Sequence, residues 1–189
     1  GHAAMSDITP FTIAIPEAEL ADLQARLANT RLANEVSGAG WSYGMASGFV
    51  TRAIERLQNG FDWRAQEAAI NRHPQFFTEI DGQKIHFLHV KSGVAGAVPL
   101  LLLHGWPSSF IEFLGAIGPL TKAGYDLVIP SLPGFGFSGP TREAGWNDGR
   151  IASAMLELMS RLGYTSFGVQ GGDAGAIIAP AIGRAAPDR

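Results

Sequence analysis

The run Pro99-Leu100-Leu101-Leu102-Leu103 is apolar at every position, and His104-Gly105-Trp106-Pro107 follows it at once. A half-exposed strand alternates apolar and polar residues. A run apolar on both faces needs cover on both, which is the position of an inner strand between layers of helix. The flanking sequence supplies those layers. Residues from about Ser109 to Thr121 and from Asn147 to Leu162 read as helices, and Tyr125 to Ile129 and Phe167 to Gln170 as strands. Strands joined by helical crossovers imply a largely parallel sheet. Phe76 to Ile80 and Lys84 to Val90 flank Asp81-Gly82, a pair suited to a tight hairpin turn, and give the sheet an antiparallel start. The fold class is α/β, and a ligand site is expected beyond the carboxyl ends of the strands.

Upstream of residue 75 the pattern changes. Phe11, Ile13 and Ile15 alternate as in a short extended segment, and Pro16 then opens a helix carrying Leu20, Leu23 and Leu27 on one face. A second helix covers Ala46 to Gln58, stopped by Asn59-Gly60, and a third covers Trp63 to Arg72, with Asp62 as its N-cap. Three segments result. Residues 1–9 are a cloning remnant (Gly1 to Ala4) with a disordered start, 10–75 a helical N-terminal region, and 76–189 the α/β core.

The 46% hydrophobic and 16% charged content fits a globular chain, not a disordered one. A net charge of −3 gives no basic footprint, so neither nucleic acid nor an acidic membrane surface is an expected partner. No cysteine is present, which removes thiolate chemistry and suits a cytoplasmic location. The apolar run Val98 to Leu103 is far short of a membrane span.

Three strand ends converge on one edge of such a sheet: His104-Gly105-Trp106-Pro107, Leu132-Pro133-Gly134-Phe135-Gly136-Phe137-Ser138, and Gln170-Gly171-Gly172-Asp173-Ala174-Gly175. The last is a strand, a glycine turn bearing one acid, and a small-residue helix. That is the shape of a nucleophile elbow, with aspartate where an esterase has serine. A carboxylate there projects toward the cleft and can attack carbon to form an ester. The following helix N-terminus favours its anionic form, which suits a nucleophile and argues against a general acid. Taken alone, an aspartate between glycines is more often a turn or cap residue.

The three motifs in this order resemble an epoxide hydrolase of the α/β-hydrolase fold. Phe61-Asp62-Trp63-Arg64, Asn71, Ile80-Asp81-Gly82 and His86-Phe87 resemble the N-terminal region of its microsomal-type branch. The resemblance implies the first half of the mostly parallel sheet of that fold, preceded by the helical N-terminal region. It also implies Asp173 as the catalytic nucleophile, backbone N–H groups of Trp106 and Ala174 as the oxyanion hole, and Trp106 against the substrate. The partner it implies is a small hydrophobic epoxide, with no cofactor and no metal; a homodimer is suggested by analogy alone. His104 is expected to shape the oxyanion loop by hydrogen bonding rather than to act as a base. Phe135 and Phe137 are expected to support the elbow, and Trp63, Arg64, His73, His86 and His89 to be structural or surface residues.

Two departures from the family pattern stand out. Ala174 occupies a position where tryptophan is common, which keeps the backbone donor but removes a large pocket wall. No general-base histidine, acid partner or lid tyrosine follows Asp173, and Tyr43, Tyr125 and Tyr164 match no lid position. The expectation is therefore that the 189 residues are the N-terminal portion of a longer protein, whose C-terminal portion is a continuation or a second chain. Two competing readings remain: a haloalkane-type dehalogenase using the same aspartate, and a non-catalytic truncated homologue or split subunit that binds a hydrophobic ligand or a partner.

Overall fold

In the computed structural model, which describes residues 7–189, the leucine run becomes an inner strand of a six-stranded sheet. The strands are β1 (Thr9–Pro10), β2 (Gln75–Ile80), β3 (Gln83–Val90), β4 (Val98–Leu103), β5 (Tyr125–Pro130) and β6 (Gly168–Gly171). Their order is β1-β2-β3-β5-β4-β6. The pairings of β1 with β2, β2 with β3 and β3 with β5 are antiparallel. Those of β4 with β5 and β6 are parallel. The hairpin therefore extends the parallel strands into a mixed sheet. The expected cloning remnant, residues 1–4, lies outside the described residues. Ordered pairing begins within the segment expected to be a disordered start, because Thr9 pairs with Phe77. Phe11 anchors that pairing: its N–H donates to Gln75 O at 2.8 Å, and its ring lies 4.2 Å from that of Phe77.

Helices α4 (Leu114–Lys122), α5 (Asp148–Arg161) and α6 (Ala174–Ala185) cover the sheet. Ala152, Met155, Leu158 and Met159 of α5 and Ile178 and Ile182 of α6 form one buried cluster with Phe87, Leu101, Leu103 and Val128. The alternate residues Leu102, Leu127 and Ile129 are also buried and face the opposite side, where α4 packs on β5. Both faces are thus covered, as the unbroken leucine run requires. The expected helix from Ser109 is split. Ser109 caps a 3-10 turn, Phe110–Phe113, by accepting from Ile111 N, and α4 starts only at Leu114.

Residues 13–71 form a second compact unit. It holds α1 (Glu17–Ala28), α2 (Ser47–Asn59) and α3 (Trp63–Asn71). Asp62 Oδ1 accepts from Ala65 N at 3.1 Å, the N-cap bond expected from its place before Trp63. The extended stretch before α1 is tied to α3 by side chains. Asn71 acts like a strand partner for Ile13, accepting from its N–H at 2.8 Å and donating to its carbonyl at 2.9 Å. Glu67 accepts from Ile15 N at 2.9 Å and Trp63 Nε1 at 3.2 Å, while Arg64 bonds Glu67, Glu17 and the Ile15 carbonyl. Trp63, Arg64 and Asn71 therefore serve structure. No helix among the described residues is long and apolar enough to cross a membrane.

Candidate active site

Asp173 sits between β6 and α6 with φ 53° and ψ −119°. A non-glycine residue held there stores roughly 1–3 kcal/mol of backbone strain. Close packing on either side enforces the turn. A Cβ on Gly175 would lie 2.3 Å from Leu103 O, so the first turn of α6 rides directly on the end of β4. The side chain of Asp173 consequently projects from the carboxyl ends of β4 and β6, where the topology places a ligand site.

The turn after β4 meets it there. Trp106 N donates to Asp173 Oδ2 at 2.7 Å. The N–H groups of Trp106 and Ala174 hold the Asp173 carboxyl below the usual aspartate range, Trp106 contributing the larger share. The group is an exposed anion with two backbone donors aimed at it. Trp106 is 67% exposed, and the Trp106–Pro107 peptide is cis. Asp173 and the backbone N–H groups of Trp106 and Ala174 therefore come together at this edge of the sheet.

His104 is fully buried and fully engaged. Its Nδ1 lies 2.9 Å from Gly105 O, and its Nε2 accepts from Leu132 N at 3.0 Å. Gly105 O also accepts from Ser108 N at 3.1 Å. Burial pushes the His104 pKa below the ordinary histidine value. Neither ring nitrogen is free to serve Asp173, so His104 shapes the loop instead of acting as its base. The Phe135 ring meets His104 edge-on at 5.5 Å, whereas Phe137 packs on His86 at 5.3 Å.

The sequence reading missed a buried polar cluster beneath the Leu132 to Ser138 loop. His86 Nδ1 meets Ser131 Oγ at 2.7 Å and His86 Nε2 meets Gln75 Oε1 at 2.9 Å. Ser138 Oγ accepts from His86 N at 3.0 Å and donates to Ser131 O at 2.5 Å, and Gln83 Nε2 donates to Ser138 O at 3.1 Å. Phe11, Phe77, Phe110 and Phe137 surround the imidazole. Burial, aided by Lys84, pushes the His86 pKa down to about 3. The available signal was a histidine on the hairpin paired with serines at both ends of a glycine-aromatic loop, a pattern with no fixed spacing to search for.

A second chain, His89 Nε2 to Tyr164 Oη at 2.8 Å and Tyr164 Oη to Asp126 Oδ2 at 3.0 Å, lies near the start of β5. That is the end of the parallel strands remote from Asp173, so Tyr164 fastens the fold there. Among the described residues no cluster of histidine and carboxylate side chains could hold a metal ion.

The family described as "Epoxide hydrolase N terminus" matches residues 8–113, and "alpha/beta hydrolase fold" matches residues 98–189. A putative epoxide hydrolase of Stigmatella aurantiaca is 44% identical over 95% of this chain and 43% of its own length. Epoxide hydrolase 1 of Sus scrofa is 36% identical over 95% of this chain and 42% of its own. The crystal structure of juvenile hormone epoxide hydrolase from the silkworm Bombyx mori superimposes with a TM-score of 0.89 at 36% identity, covering 96% of this chain and 50% of that one. The chain thus spans less than half the length of the curated relatives it matches.

Proposed function

The chain belongs to the epoxide hydrolase family of the α/β-hydrolase fold, and from that membership we propose that the complete protein opens an epoxide to a diol through a covalent ester on Asp173. One observation carries the proposal: an aspartate on a strained turn, held as an anion, with the Trp106 N–H 2.7 Å from its Oδ2. An Asp173 oxygen attacks a ring carbon, the C–O bond breaks, and its electron pair passes to the ring oxygen, which takes up a proton. Water then adds to the ester carbonyl after giving a proton to a base. The oxyanion that forms is held by the Trp106 and Ala174 N–H groups. Its collapse breaks the ester C–O bond; the leaving alkoxide takes the proton of the newly formed carboxylic acid, which completes the diol and restores the carboxylate. A donor of this kind is worth roughly 3 kcal/mol of barrier.

His104 has both nitrogens committed, so the base is assigned to the further length that the relatives possess. The proton donor for ring opening is assigned there as well. That portion is a continuation of the chain or a second polypeptide. The substrate is a small hydrophobic epoxide, and the methyl of Ala174 leaves room beside the carboxylate for a bulky substituent. A cytoplasmic location and a detoxifying role belong to the same proposal and rest on the cysteine-free composition and the proposed chemistry.

A single turnover of the complete protein on an epoxide in heavy-oxygen water tests the reaction. Ester hydrolysis leaves one heavy oxygen in the Asp173 carboxylate, detectable in the mass of the peptide that contains it. An unlabelled peptide after diol formation would exclude the covalent route.

A further inference from the structure

We propose that Ser138 and His104 are positioning residues that aim and polarise the Trp106 N–H toward Asp173 through one continuous hydrogen-bond chain. The two neighbours of His104 fix its tautomer. An amide N–H can only donate, so Leu132 N fixes His104 Nε2 as an acceptor. A carbonyl oxygen can only accept, so Gly105 O fixes Nδ1 as the protonated nitrogen. The ring is neutral and oriented in a single sense.

Each end of that ring touches a peptide group whose other end continues the line. Gly105 C=O and Trp106 N–H belong to one planar peptide and point in opposite directions. Holding the oxygen with His104 Nδ1 and Ser108 N turns the Trp106 N–H onto Asp173 Oδ2. Ser131 C=O and Leu132 N–H likewise share a peptide. The Ser138 hydroxyl donates to that carbonyl at 2.5 Å, while the amide donates to His104 at 3.0 Å. Ser138 Oγ in turn accepts from His86 N at 3.0 Å.

From His86 N to the carboxylate, every donor points the same way. Bonds aligned in this sense reinforce one another, and the low-dielectric surroundings of His104, Ser131 and Ser138, all fully buried, preserve the effect. The chain has no free end: it starts in the β3 ladder and terminates on the anion. Protonating His104 would set an Nε2–H against the Leu132 N–H and break it. The chain therefore also explains why a histidine beside the reactive group is kept neutral. Its consequence for ester hydrolysis rests on the reaction proposed above, but its geometry does not. The test accordingly reads Asp173 directly.

The full-length protein, labelled with 13C aspartate, 15N histidine and 15N tryptophan, is titrated by NMR. His104 is expected to show a protonated Nδ1 and an unprotonated Nε2. Ser138→Ala is expected to raise the Asp173 pKa by about half a unit as the donor weakens, and to shift the Trp106 amide proton upfield. Ser131→Ala is the control. It removes an equally buried hydroxyl that bonds His86 and is not part of the chain, and it is expected to leave both signals in place. Equal pKa values in Ser138→Ala and the parent, or equal shifts in both serine variants, would overturn the proposal. If Ser138→Ala does not fold, the tautomer decides, because a proton on Nε2 is incompatible with the chain. None of these readings needs an epoxide, so failure of the proposed activity would be seen separately.

Discussion

A Cβ placed on Gly105 would stand 2.8 Å from the Cβ of Asp173. The clash involves the root of the carboxylate, not a flexible tip, so the two turns can approach only because position 105 has no side chain. Gly105→Ala is expected to push Asp173 off the Trp106 N–H and to slow hydrolysis of the ester by about 100-fold, the scale of a lost oxyanion donor. Rapid-quench mass spectrometry of the esterified peptide measures this in the complete protein. A rate within threefold of the parent would show that the contact is unimportant.

Trp106 is expected to behave in the opposite way. It contributes its backbone N–H to Asp173, while the residue as a whole is 67% exposed. Trp106→Ala keeps the donor, so the maximum rate of ester hydrolysis should stay within about tenfold, and KM should rise if the indole borders the substrate. Stability should change by less than about 1 kcal/mol, as for other exposed positions. A collapse of the maximum rate at unchanged KM would mean that the side chain orients the loop.

The parts of this arrangement that depend on local sequence were legible before the fold was known. The leucine run requires two covered faces. Asp173 between glycines, ahead of a small-residue helix, requires a tight turn. The order of the three strand-end motifs brings them to one edge. What could not be read depends on long-range pairing. His86 and Ser131 are 45 residues apart and Gln83 and Ser138 are 55 apart. Each is an ordinary polar residue until β3 is laid beside β5. The mixed character of the sheet has the same origin, since hydrophobic pattern marks β3 and β5 as strands but does not state that they pair antiparallel. Ordering at Thr9 likewise depends on Phe11 finding Phe77, which the short apolar pattern alone cannot reveal.

Asn71 offers a test in the helical unit. Its amide supplies both an acceptor and a donor to Ile13, which is only 1% exposed. Asn71→Ala removes both and should destabilise the protein by roughly 1–3 kcal/mol, the range for leaving buried backbone groups without a partner. Asn71→Asp keeps the acceptor and loses the donor, so it should fall between. Urea unfolding midpoints compare the three proteins, and a loss under about 0.5 kcal/mol in Asn71→Ala would show that Ile13 is held by other means.

The pH dependence of stability should be governed first by histidines. Burial lowers the folded-state pKa of His86 to about 3 and also lowers those of His104, His89 and His73. The unfolded chain titrates near 6.5, so on acidification it takes up protons that the folded protein refuses. Stability is therefore full above about pH 6.5 and falls as pH drops toward the folded values, with His86 alone contributing up to about 1.4 kcal/mol per pH unit below that point. Carboxylates lowered by hydrogen bonds, such as Asp173 from Trp106 and Glu67 from Ile15, lose their contribution only nearer pH 4. The window between pH 6.5 and 5 thus belongs to the imidazoles. Urea midpoints at pH 7.5, 6.0 and 5.0 should decline steadily in the parent and less steeply in His86→Gln, which can still reach Gln75 and Ser131 without titrating. Parallel declines in the two proteins would remove His86 from the account.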